Sequence, residues 1–145
     1  MAEVRIDAGP DTVHWGFFDA ALPPIATVAS GTTVILSSVS GGPEVMPGPP
    51  HAVPPALAAI HAVHTPRVPG HLCTGPVAIE GARAGDVLEV RIRQIDLLYD
   101  WGFNVSAPQK GALPDDFDAV HLMHIALDPE TMTGRLPWGL DLPLR

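Results

Sequence analysis

The chain has 145 residues, 46% of them apolar, and a mean hydropathy of +0.21, which excludes wholesale disorder and suits one compact domain over residues 1–145. Eight basic residues stand against 16 acidic ones, with Lys110 the sole lysine, so there is no basic stripe of the kind nucleic acid requires. No apolar run reaches the length of about 18 residues that a membrane span needs, and the N-terminus has no charged-then-apolar signal pattern.

Fourteen Gly and 17 Pro are about a fifth of the chain, against roughly an eighth in average proteins, and leave little room for long helices. The expected fold is therefore mainly β: a β-sandwich-like domain with one short helix and long Pro/Gly-rich loops. Residues 4–19 read as an edge strand followed by the aromatic cluster His14-Trp15-Gly16-Phe17-Phe18-Asp19, and Leu22-Pro23-Pro24 stops any helix there. Residues 25–28 and 32–39 then read as two strands of a hairpin turning through Ala29-Ser30-Gly31. The second of these is β-branched and apolar enough to be largely buried. Residues 41–50, with three Gly and four Pro, predict a long loop without regular structure. Pro54-Pro55 opens a helix over 56–64 that Pro66 ends.

Beyond Gly70 the pattern returns to β. Residues 76–80 form a short strand and 81–85 a turn, and Asp86 just after Gly85 reads as a turn residue. Residues 86–96 alternate, with Leu88, Val90 and Ile92 on one side and Glu89, Arg91 and Arg93 on the other, the pattern of a half-buried strand. Short strands follow at 103–106 and 121–127, the latter turning at Asp128-Pro129-Glu130. The apolar stretch 136–145 carries no closing element in this reading. It suggests either a continuing chain or a surface that packs on a partner.

The single cysteine, Cys73, cannot form an internal disulfide, which makes the reducing cytoplasm the simplest compartment. As a side chain it is either an inert packing residue or a nucleophile needing a nearby base. Seven histidines are unusual beside one lysine. His61 and His64 are three apart on the expected helix and share a face. With His71 they are either a three-nitrogen metal site or plain surface histidines. His14 and His71 are each either a ligand or acid/base group, or a hydrogen-bonded structural histidine. Trp15-Gly16 and Trp101-Gly102 are aromatic–glycine pairs that serve as walls of a small-molecule pocket or as strand-end packing.

Several phrases resemble the acetamidase/formamidase family. The opening His14-Trp15-Gly16-Phe17-Phe18-Asp19-Ala20, then Pro23-Pro24 and Ser30-Gly31-Thr32-Thr33-Val34, are similar to the start of its members. The stretch from Gly70-His71-Leu72-Cys73-Thr74-Gly75-Pro76-Val77 through Glu80-Gly81-Ala82-Arg83-Ala84-Gly85-Asp86-Val87-Leu88-Glu89-Val90 resembles the family signature. It departs by the inserted Cys73 and by Ala84 where a proline is usual. Asp100-Trp101-Gly102-Phe103-Asn104 and Gly111 to Phe117 match as well.

The resemblance implies hydrolysis of short-chain amides such as formamide or acetamide to a carboxylate and ammonia, on a mainly β scaffold. It also implies a divalent metal, zinc foremost, that lowers the pKa of a bound water to about 7. On that reading His14 and His71 are candidate metal ligands, Asp19 and Asp100 candidate catalytic carboxylates, and Trp15 and Trp101 candidate substrate-binding walls. Family members are longer, and their second half carries a Gly-Asp-x-His-x-x-x-Gly-x-Gly-Glu motif. The chain is thus expected to be the N-terminal half of such an amidase, inactive alone, with the C-terminal half as partner and a homo-oligomer as the working form. The alternative is a non-catalytic β-sandwich module for binding or assembly.

Overall fold

The computed structural model describes residues 2–65 and 71–144. The chain is mainly β, with ten strands and one α-helix among the described residues, none of it a helix long and apolar enough to cross a membrane. It forms two compact units: Met1–Pro43 with Val53–Ile92, and Glu44–Ala52 with Arg93–Arg145.

The first unit is built from three two-stranded ladders and the helix. Strand β1 (Glu3–Ile6) and β2 (Val13–Trp15) are followed by β3 (Ala26–Val28), β4 (Thr33–Leu36), α1 (Pro55–Val63), β5 (Leu72–Thr74) and β6 (Val77–Ile79). β1 runs parallel to β4, from Glu3↔Thr33 to Ile6↔Leu36, and β3 runs parallel to β6, from Ala26↔Val77 to Val28↔Ile79. β2 and β5 are antiparallel, with His14 opposite Cys73 and Trp15 opposite Leu72.

The hairpin expected between residues 25–28 and 32–39 is therefore absent. Its turn is present, with Thr32 N–H donating to the Ala29 carbonyl at 3.2 Å and Gly31 at φ +83°. The two strands leave it toward different partners, and those pairings bury Ile6 and Val28. The second strand is also shorter and less buried than its composition suggests, with Ile35 and Leu36 exposed.

Helix α1 begins with Pro55 in the first turn, where the missing N–H costs no intrahelical bond. Leu57 and Ile60, one turn apart, are its fully buried face. The helix closes at Val63, and extended His64 donates its N–H to the Ile60 carbonyl at 2.8 Å. The expected stop at Pro66 lies outside the described residues, as does Gly70.

Residues 86–96, read from the sequence as a half-buried strand, belong to no sheet among the described residues. Alternation assigns faces, but a strand forms only when a neighbouring backbone takes its N–H and C=O groups. Val87, Leu88, Val90 and Ile92 are all exposed.

The second unit is a four-stranded antiparallel sheet in the order β10-β9-β8-β7, where β7 is Trp101–Ser106, β8 His121–Asp128, β9 Thr133–Arg135 and β10 Asp141–Pro143. The β8–β9 turn is closed by Asp128, whose Oδ1 accepts the backbone N–H of Glu130 and Thr131. Buried Gly134 lies against Leu127, Ile125 and Leu144. The terminal stretch does carry a closing element: β10 pairs with β9, Asp141 opposite Arg135, and the two side chains form an ion pair. The loop 41–50 is not wholly irregular either, since Pro43–Val45 makes one 3-10 turn. Val45, Trp101 and Leu136 are the buried apolar residues of this unit.

Candidate functional site

The residues singled out in the sequence fall into two groups, one in each unit. In the first, β2 and β5 set the geometry. Cross-strand pairs share a face and neighbours along a strand point oppositely. His14, Cys73 and, two residues before it, His71 therefore project from one face of the ladder, while Trp15 and Leu72 project from the other. The ladder extends to His71, whose carbonyl accepts the Gly16 N–H at 3.1 Å. His14 neighbours the rings of Phe17 and Phe18, with centroids 5.7 and 6.5 Å away, and its Nδ1 donates to the Cys73 carbonyl at 3.2 Å. That bond fixes the proton on Nδ1 and leaves Nε2 as the free nitrogen.

Trp15 stacks on His61 at 5.4 Å with the rings 23° apart. His61 in turn donates Nε2–H to the Gly41 carbonyl at 2.9 Å, and His64 donates Nε2–H to the Pro10 carbonyl at 2.6 Å. These two histidines thus tie the helix to separate loops, and the metal site considered for His61, His64 and His71 is not assembled. Asp19 is exposed, and its Oδ1 accepts the Ala21 N–H at 2.8 Å, which makes it the pivot of a turn.

The second group surrounds the start of β7. Trp101 is 5% exposed and donates its indole N–H to the Ala52 carbonyl at 3.1 Å. It stacks on Tyr99 (5.9 Å, 19°) and meets His124 edge-on at 6.3 Å. His124 donates Nε2–H to the Val45 carbonyl at 2.8 Å, so two ring N–H groups fasten the segment Glu44–Ala52 to the sheet. Beside Trp101, Asp100 Oδ2 lies 3.2 Å from His51 Nδ1. The His51 side chain is 18% exposed and that of Asp100 61%, so the carboxylate reaches solvent while the imidazole is largely enclosed. Their approach suits Coulombic attraction to a protonated imidazole and is not aligned as a hydrogen bond. The Tyr99 hydroxyl is buried without a partner, and burial holds its pKa above the usual phenol value.

Sequence reasoning named Asp100 and Trp101 but missed His51, Tyr99 and His124 as their surroundings. Tyr99 is adjacent in sequence and was open to inspection; His51 and His124 carry no local signal of where they fold. Among the described residues, no three His, Cys, Asp or Glu side chains gather closely enough to hold a metal ion. Zinc takes four ligands, three of them protein groups in a catalytic site, so His14 and His71 do not make a fitting zinc site by themselves.

The signature stretch has a structural explanation. At Thr74-Gly75-Pro76 the chain leaves β2 as partner and takes up β3. Gly75 N–H donates to the Thr12 carbonyl at 2.9 Å, the Thr74 hydroxyl to the Ser37 carbonyl at 2.8 Å, and Ile25 N–H to the Pro76 carbonyl at 2.9 Å. Gly75 sits at φ +132°, a conformation that side-chain-bearing residues rarely adopt. Downstream, Asp86 Oδ2 accepts the Arg83 N–H at 2.8 Å and closes the turn. The signature is thus the joint between a parallel and an antiparallel ladder.

The scaffold is mainly β with this joint at its signature stretch, and comparison with known proteins narrows the class. The family model described as Acetamidase/Formamidase family matches residues 57–136, and the chain belongs to that family. Among solved structures it is similar to a predicted acetamidase/formamidase from the thermophile Thermoanaerobacter tengcongensis, with TM-score 0.68 and 18% identity over 98% of this chain and 42% of that one. It is also similar to an acetamidase from Bacillus halodurans, with TM-score 0.61 and 24% identity over 96% of this chain and 42% of that one. The chain thus spans about two fifths of the length of these solved relatives. No curated protein matches it.

Proposed function

We propose that the chain is the N-terminal part of an amidohydrolase acting on short linear amides, formamide and acetamide foremost, and that a C-terminal polypeptide completes its reaction centre. The observation that carries the reading is the family match over residues 57–136 together with a span of 42% of the solved relatives. A second observation supports incompleteness. The chain exposes 10530 Å². A compact monomer of this mass exposes about 7100 Å², and even two separate compact bodies of half the mass expose about 8600 Å² together.

In this reading water adds to the amide carbonyl, the C–N bond breaks, and the products are a carboxylate and ammonium. Asp100 is the proton acceptor for the attacking water, its carboxylate facing solvent and its position set by His51. Tyr99, one residue earlier in the chain, keeps a buried O–H without a partner, which we assign as a donor to a developing oxyanion once the centre is completed. Trp101 supports Tyr99 by stacking on its ring. The zinc that the resemblance implies needs donors that the described residues do not gather.

The test measures ammonia release from formamide and acetamide by this chain alone and co-expressed with the portion of the Bacillus halodurans acetamidase that it does not cover. Activity only in the assembled pair supports the reading. An assembled pair that releases no ammonia refutes it in favour of a binding module.

A further inference from the structure

Residues 86–92 stand apart from every sheet among the described residues while carrying the composition of a strand that belongs in one. The Arg83–Asp86 turn launches the segment in a fixed direction, with Asp86 N–H returning to the Arg83 carbonyl at 3.0 Å. No proline occurs between Pro76 and Pro108, so every residue of the segment keeps its ladder donor. Glu89 and Arg91, two apart, form an ion pair, as neighbours on one face of an extended strand do. Leu88, Val90 and Ile92 occupy the opposite face.

Natural edge strands are blunted by proline, charge or brevity; this segment has no proline, and its Glu89 and Arg91 charges leave Leu88, Val90 and Ile92 bare. Val87 is 95% exposed, Val90 73% and Ile92 76%. An apolar run of this kind is left open only where something covers it.

We propose that residues 86–92 are the docking strand for the polypeptide that completes the fold. This rests on the amidase reading above for the existence of that polypeptide. An extended segment of it adds alongside by backbone hydrogen bonding, a mode that takes affinity from the main chain and specificity from alternate side chains. The added body lays apolar side chains over Leu88, Val90 and Ile92. It sets a basic group against Glu89 and an acidic one against Arg91.

A second copy of this chain fits less well. Two such segments would form a bare two-stranded ribbon, marginal in water, with the apolar face still open. The solved relatives, by contrast, hold more than half of their chain beyond the part matched here, since this chain covers 42% of each.

The test is hydrogen exchange on the full chain, alone and co-expressed with the unmatched portion of the Bacillus halodurans acetamidase. The expected result is a one-to-one complex in which amides 87–92 exchange at least ~100-fold more slowly than in the free chain. Val90→Pro, which removes a ladder donor, weakens the complex by ~10-fold or more. Ile92→Asp does the same without stiffening the backbone, and Phe18→Ser, at another exposed apolar residue, does not. A complex that releases ammonia while 87–92 exchange freely overturns the docking strand and leaves the amidase reading standing. Protection without ammonia release does the reverse. Protection that instead rises with the concentration of this chain alone, at twice its mass, assigns the surface to a second copy and overturns the proposal, as does the lack of any complex.

Discussion

His51 Nδ1 lies 3.2 Å from Asp100 Oδ2, joining the Pro/Gly-rich segment to the start of β7 through one titratable pair. The arrangement gives Asp100 a fixed neighbour on one side and solvent on the other. In the completed enzyme, Asp100→Asn keeps the size of the side chain but removes the proton acceptor. Positioned acid/base groups contribute about 10²-fold to 10⁴-fold, so kcat is expected to fall by at least ~100-fold with KM little changed. Steady-state kinetics on acetamide checks this, and an unaltered kcat removes Asp100 from the chemistry.

Tyr99 makes a separate prediction, because its hydroxyl is buried with no partner. Tyr99→Phe removes a polar group that the fold desolvates without compensation, and is expected to stabilise the chain by about 1 kcal/mol in urea unfolding. The same variant should raise KM or lower kcat in the completed enzyme if the hydroxyl meets substrate there. Destabilisation by the phenylalanine would show that the hydroxyl is bonded in the folded chain.

Among the described residues of the first unit, Leu57 and Ile60 are the fully buried side chains, and truncating either to Ala should cost about 2–5 kcal/mol. Loss of that size approaches the whole stability of a small domain. Circular dichroism of Leu57→Ala should show unit-wide loss of structure, whereas Val63→Ala, at an exposed position of the same helix, should leave the spectrum intact.

Acid behaviour follows from two carboxylates of the second unit. Arg135, hydrogen-bonding Asp141, holds that carboxyl below its ordinary value, and Thr131 with Glu130 does so for Asp128. A lowered folded-state pKa gives stability that is present above the unfolded value of about 4 and lost as pH falls through the folded value. Thermal melts should therefore fall modestly below about pH 4, because both carboxylates are exposed and screened by solvent. Asp141→Asn should make that drop shallower, because its share has already been removed.

Local chemistry was legible in the sequence, and partnership was not. The turn at Ala29-Ser30-Gly31, the Asp86 and Asp128 turns and the helix over Leu57 and Ile60 follow from residue types within a few positions of each other, and each is found within a residue or two of its expected place. The hairpin failed because the same β-branched run pairs equally well with any suitable neighbour. The neighbour chosen, Glu3–Ile6, lies on the far side of two other strands. Residues 86–96 differ for a related reason: their alternation is genuine, yet no strand among the described residues pairs with them. At the site, Asp100 and Trp101 stood out by their family phrase, whereas His51 and His124 are placed by chain crossings that no local pattern encodes.

The short stretch Glu44–Ala52 belongs to one compact unit while the residues on both sides of it belong to the other. The polypeptide consequently passes between the two at three places, after positions 43, 52 and 92. Neither can be cut out as an uninterrupted piece of the gene. A clone ending at Ile92 would carry Trp101's acceptor at Ala52 but not Trp101, and one starting at Arg93 would supply the indole without its carbonyl. Anyone dissecting this protein must permute or splice it, because simple truncation severs both halves at once.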